Sequence, residues 1–356
     1  MSTRKSPLRA VTEPVTASTF DGFYFRNNLA SKGVVPAGPP FNLGPDIIQS
    51  PTQVADPVDT FSTVESWGRL YNTEPQAGTN YYYVRGLNGA TTPFKGQLSL
   101  YWTPAEVILF PTLWENRPLR TKLGKKVVSA EAASGHIGVG ADAFLLNWPT
   151  AAAQSSTSTF ASFIAQNAAT PIPTVSSWIE MSQILTSQLS FGFRNGVSFN
   201  PAANGGAMLQ RLGLNIPLEV GQSGTLQFVL SATGLVGDTV GMIVDQYTAE
   251  QKAIQVMPSK VSQDSQAFGT QVTMDPGFSG TLAVQYWNTS QKSPAPGSTL
   301  TLTVNYVVPQ SELEKAVAAG VLHSPYSAAA AKTLDVGVGP QEVAPLGQVT
   351  FITVAS

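Results

Sequence analysis

The chain has 356 residues, enough for two ordinary domains or one large β-domain. Charged residues make up only 12%, against about 25% in a typical globular chain. With 17 Phe, 10 Tyr and 6 Trp to fill a core, disorder is excluded as the explanation. A net charge of -2 gives no general attraction to nucleic acid, and the absence of Cys excludes disulfides and thiolate metal sites.

Residues 1–60 carry Pro and Gly in VVPAGPP and NLGP, which break ladders and predict an extended arm. Within it, Phe20, Phe23, Tyr24 and Phe25 form an aromatic patch able to anchor the arm on its own domain or on a neighbouring subunit. The opening STRKSPLRA lacks the apolar core of a secretory leader, so none is expected. No apolar run approaches the roughly 18 residues of a membrane span.

From residue 61 the pattern turns to β. Residues 80–85, 97–102 and 106–110 are strand-like runs bounded by Gly96, Pro104 and Pro111. The Ala-, Ser- and Thr-rich stretch 151–169 reads as a long loop with one helical turn near 160–166. Residues 225–231, 282–287 and 300–306 alternate apolar and polar with period two. Turn signals such as GQSG, GD and DPG separate the later runs. Ser311 and Glu314 form a capping box before a short helix that stops at Gly320, and Ser324-Pro325 opens a second through Lys332. Residues 348–354 close the chain as a strand. About a dozen short strands predict an all-β protein, an antiparallel sandwich or jelly roll. The division is an arm at 1–60, a sandwich at 61–205, a second sandwich or half of one elaborated roll at 206–310, and a tail at 311–356.

Catalysis is poorly supplied. His136 and His323 lie in no recognisable signature, and no G-x-S-x-G occurs. No His cluster or calcium loop predicts a metal, and no cofactor is expected. Glu65, Glu106, Glu131 and Asp142 are possible glycosidase carboxylates, but solvated acids are the simpler expectation. GHIGVG at 135–140 lacks the ending of a phosphate loop. The conspicuous charge cluster is Arg117, Arg120, Lys122, Lys125 and Lys126, five cations in ten residues with no acid among them. Such a group can meet phosphates and release their counterions. It can also pair with a neighbour's carboxylates or solubilise a loop. Arg4, Lys5 and Arg9 form a smaller basic group.

The run FKGQLSLYW at 94–102, and more loosely FSGTLAVQYW at 278–287, is similar to strands of picorna-like coat proteins. With the irregular arm and long polar loops, the chain resembles a jelly-roll capsid protein of a small icosahedral virus. That resemblance implies a non-enzymatic virion protein that assembles with copies of itself, and with other capsid proteins, around a genome. It departs from the family in lacking a strongly basic arm. The alternative is a receptor- or carbohydrate-binding spike, in which Trp67, Trp114, Trp148 and Trp178 would stack on sugars if exposed, though Trp in a β-protein is more often core.

Overall fold

Apolar residues at every second position give a strand one dry face, and that face must be buried against another layer. A computed structural model of the protein describes residues 17–71, 75–148, 161–199, 206–322 and 341–353. The dry faces pair into two sandwiches that meet at Asn195. This bears out the expected antiparallel all-β sandwich architecture with few short helices.

The first sandwich comprises β1 (Ser18–Thr19), β2 (Phe23–Tyr24), β3 (Val34–Val35), β4 (Ile47–Ser50), α1 (Pro57–Phe61), α2 (Val64–Trp67), β5 (Gly78–Asn88), β6 (Phe94–Pro104), α3 (Pro111–Trp114), β7 (Arg120–Thr121), β8 (Val127–Ala132), β9 (Ile137–Val139), β10 (Phe144–Trp148), β11 (Ala161–Asn167), α4 (Trp178–Thr186) and β12 (Phe191–Arg194). The long β5 is the spine of one sheet. β2 and β4 pair with its two halves on one side, β9 and β10 on the other. The second sheet runs β12-β11-β6-β8. Phe23, Phe25, Tyr82, Val84 and Phe144 from the first sheet and its flanks meet Leu98, Leu100, Val128 and Phe163 from the second.

The second sandwich comprises β13 (Gly196–Phe199), β14 (Ala207–Asn215), β15 (Gly224–Thr233), β16 (Thr239–Tyr247), β17 (Ala253–Lys260), β18 (Ser265–Met274), β19 (Ser279–Trp287), β20 (Thr299–Val307), α5 (Leu313–Ala318) and β21 (Val343–Thr353). Its sheets run β13-β21-β20-β15-β18 and β14-β19-β16-β17. The alternating runs behave as expected: Leu226, Phe228 and Leu230 face Leu282, Val284 and Tyr286 across one core. β21 belongs to this sandwich, pairing with β20, so the terminal strand is not part of a separate tail.

Four expectations need correction. First, residues 17–60 are not a peripheral arm. Phe23, Tyr24, Phe25, Phe41, Ile47 and Ile48 are buried in their own chain. Residues 1–16 lie outside the described residues. Second, residues 106–110 form no regular strand. Val107, Ile108, Leu109 and Phe110 are all buried, because the segment wedges between the sandwiches and has no wet side. Third, the helical turn expected at 160–166 is the strand β11. Its small residues are buried on both faces, which erases the alternation. Fourth, helices are not confined to the C-terminal region. In α4, Ser177 caps the N-terminus by accepting from the Glu180 amide. The helix expected after Ser311 is α5, but its N-cap residue is Glu312 and makes no side-chain cap bond. Residues 324–332 lie outside the described residues.

Buried charge ties residues 26–71 to the sheet. Asp46 accepts from the Arg26 guanidinium at 2.6 Å and from Arg85 Nε at 3.4 Å, and all three side chains are buried. Arg26 also donates to the Trp67 carbonyl and lies 3.3 Å above the Trp67 ring. Arg85 donates to the Phe61 carbonyl and to Ser66 Oγ, which pins both short helices. Burial lowers the Arg85 pKa, and the Asp46 charge opposes that shift. Arg194 donates to the carbonyls of Ile47 and Tyr71, and burial pushes its pKa down to about 10. Removing a carboxylate from such a cluster leaves cations buried without their counter-charge, a loss of about 3–5 kcal/mol. Asp46→Asn should therefore lower unfolding free energy by about that amount, read as a shifted urea midpoint.

Candidate anionic-partner interface

The basic cluster is carried by a short hairpin on the first sandwich. After α3 the chain runs back along β6: the Trp102 amide donates to the Arg117 carbonyl, and the Leu119 amide to the Leu100 carbonyl. Buried Leu119 and Thr121 point inward, so Arg120 and Lys122 point out. The turn closes through Gly124 N to Thr121 O and Thr121 N to Lys125 O, both 2.9 Å. Gly124 takes a φ of +78°, a left-handed conformation that a side chain would strain. Thr121 Oγ1 accepts from the Lys125 amide, and Arg120 donates to the Gly124 carbonyl.

All five cations are exposed on this one structure. Among the described residues none of them forms an ion pair, whereas Lys95 pairs with Glu131 and Lys252 with Glu250. Leu123 at the tip is 76% exposed. Arg117 lies 5.9 Å from the centre of the half-buried Trp102 ring, which holds its guanidinium at the base of the hairpin. Five like charges gathered on one hairpin, with no acid within residues 117–126, make a local positive field, independent of the chain's near-zero net charge.

The aromatic patch anchors within the chain. Phe23 stacks on Phe94 with ring centres 4.2 Å apart and meets Phe25 edge-on at 5.8 Å. Tyr24 turns the other way, toward Ala37 and Leu189, with Phe20 packed beside it. Trp114, Trp148 and Trp178 are buried, each donating its indole N–H inside the protein. Trp67 is capped by Arg26. The three buried rings therefore offer no sugar platform, and half-buried Trp67 has one face covered by Arg26.

The possible carboxylates are dispersed. Glu65 pairs with Arg69 on α2, Glu131 pairs with Lys95, and Asp142 accepts from the Ala143 amide. Glu106 is buried where the sandwiches meet. His136 is exposed, its Nδ1 2.8 Å from the Ser134 carbonyl, and His323 lies outside the described residues. Among the described residues, no three His, Asp or Glu side chains gather as metal ligands.

Sequence reasoning missed a neutral cleft of about 530 Å³ on the outer face of the β20–β21 pair. Ser231, Thr301, Thr303 and Asn305 line its floor, and Pro39 and Pro40 form one wall. The alternating Thr of β20 were visible in sequence, but the Pro wall comes from a distant segment.

No family model matches the sequence, and no curated protein matches it. Among solved structures, the chain is similar to an anti-sigma factor domain-containing protein at 9% identity, covering 81% of this chain and 93% of that one, with a TM-score of 0.18.

Replacing Arg117, Arg120, Lys122, Lys125 and Lys126 with Gln should leave the fold intact, because all five side chains are exposed and none forms an ion pair among the described residues. If the hairpin meets phosphates, the slope of log affinity for RNA against log salt should flatten by roughly 0.7 for each phosphate no longer neutralised. An unchanged slope would remove phosphate binding from the hairpin.

Proposed function

We propose that this chain is a non-enzymatic structural subunit that assembles with copies of itself in the manner of a coat protein, with the hairpin at 117–126 turned toward an anionic partner such as an enclosed genome. The observation that carries the reading is the hairpin, five exposed cations with no ion-pair partner among the described residues. A fold that concentrates uncompensated charge on a rigid turn is suited to meet opposite charge outside itself. Two sandwiches sharing one seam make a stiff block, which suits a shell. The neutral hydroxyl and amide groups of the outer sheet can form interface hydrogen bonds without desolvating charge.

A second reading, a carbohydrate-binding adhesin, draws on the neutral cleft beside Pro39 and Pro40. The described residues lining it include no exposed aromatic ring on which a sugar would stack.

Size-exclusion chromatography and negative-stain imaging across protein concentration, with and without RNA, separate the two. The proposed function requires closed particles or large regular oligomers, more abundant with RNA. A monomer at every concentration, with or without RNA, would count decisively against a shell-forming role for the chain alone.

A further inference from the structure

The chain crosses between the sandwiches through a polar seam, and Glu106 sits inside it. Its segment joins β14 as a short parallel bridge: the Gly213 amide donates to the Ala105 carbonyl at 2.7 Å, and the Val107 amide to the Gly213 carbonyl at 3.0 Å. The Glu106 carbonyl accepts from Asn195 Nδ2 at 2.7 Å, and its amide donates to Ser162 Oγ. First-sandwich and second-sandwich elements are therefore stitched on both sides of this residue.

The side chain is buried against the second sandwich. It lies flat on Gly213, where an added methyl would overlap the carboxylate. Oε1 accepts from Asn215 Nδ2 at 2.8 Å, and Asn215 is oriented by Ser279, which donates to its Oδ1. Oε2 is buried and has no hydrogen-bond partner. An ionised carboxylate in this position keeps one oxygen desolvated and unpaired, whereas a carboxylic acid carries half the demand for donors.

We propose that Glu106 is a proton-operated latch on the seam: protonated, it lets the bridge between residues 105–107 and β14 close, and ionised, it loosens that bridge.

The surroundings support the neutral form. Burial raises the Glu106 pKa to about 7, against the smaller lowering effects of the Asn215 hydrogen bond and the Arg117 charge. Arg117, at the base of the basic hairpin, is the cation that acts on it. On β14, Arg211 occupies the next outward position from Gly213, and on β16 Asp245 accepts from the Thr281 amide. β11, β19 and β21 carry no charged residue. Arg194 of β12 points away, to the carbonyls of Ile47 and Tyr71.

The sign follows from proton counting. A carboxyl raised in the folded state binds a proton there that the unfolded chain has already lost. Its stabilising effect is complete below the ordinary carboxyl range and is lost as pH rises toward about 7. The latch is closed on the acid side and open on the alkaline side.

Amide hydrogen exchange at Val107 and Gly213 tests this, corrected for the intrinsic effect of pH. Protection at these two amides should fall roughly tenfold or more between about pH 5.5 and pH 8.5, following the titration span of one carboxyl. Core amides of β15 should change little. Glu106→Gln keeps an acceptor for Asn215 and removes the proton, so its seam protection should be flat with pH. A carbon-detected titration of Glu106 in the unaltered protein stands beside the variant, with a midpoint near 7 expected. The latch is overturned by a midpoint in the ordinary carboxyl range, by unchanged seam protection, by the same pH response in the variant, or by an equal loss of protection throughout the core.

Discussion

One buried amide side chain ties together the chain segments that cross between the two halves of this protein. Asn195 stands where the chain leaves β12 for β13, with no exposure to solvent. Its Nδ2 donates to the carbonyls of Glu106 and Gln348, and its Oδ1 accepts from Ser162. Its backbone exchanges bonds with Asn42: the Asn195 amide donates to the Asn42 carbonyl, and Asn42 Nδ2 to the Asn195 carbonyl. Both donor hydrogens and the acceptor are used, so the group costs little to bury and much to replace. Four separate segments, around Asn42, Glu106, Ser162 and Gln348, converge on it. A shorter or apolar residue would leave several polar groups dry at once, and buried networks of this kind tolerate no half-measures.

Charge is distributed by the same economy. The interior takes three arginines, and they are satisfied chiefly by carbonyls, with Asp46 the one carboxylate shared between two of them. Guanidinium groups suit this use because their planar fork can serve several acceptors while the stem packs as hydrocarbon. The exterior hairpin inverts the arrangement, with exposed cations that form no ion pair among the described residues. In a chain with 20 basic residues, such unequal treatment separates the arginines that hold the fold from the cations available to something outside it.

Much of the fold was legible where side chains alternate between one wet and one dry face. β15, β19 and β20 show that pattern directly. The basic hairpin was legible too, because its residues are neighbours in sequence. β11 was not: both of its faces are covered, and Ala and Ser fill positions where larger residues would have displayed a period. The segment 106–110 was ambiguous for the opposite reason, being apolar throughout. α4 did carry a local signal, Ser177 followed by Glu180, but it is masked by the Ser and Pro residues that crowd the same stretch. Nothing adjacent to Asp46 or Glu106 announces their roles. The partners of Asp46 are 20 and 39 residues away, and Asn215 is 109 residues from Glu106. Such distances are fixed by the fold and by nothing local.

The second sandwich begins and ends with strands that lie side by side. β13 and β21 pair in parallel, Gly196 with Thr350 through to Phe199 with Thr353. The entry of one strand and the exit of the other therefore point in opposite directions along the same row of hydrogen bonds. Tension applied between the two flanking chain segments would load that row in shear, with its bonds strained together, whereas antiparallel pairing of first and last strands would let them peel apart singly. The strands between are thus enclosed by a mechanical clasp, and pulling on the chain would meet its stiffest joint first.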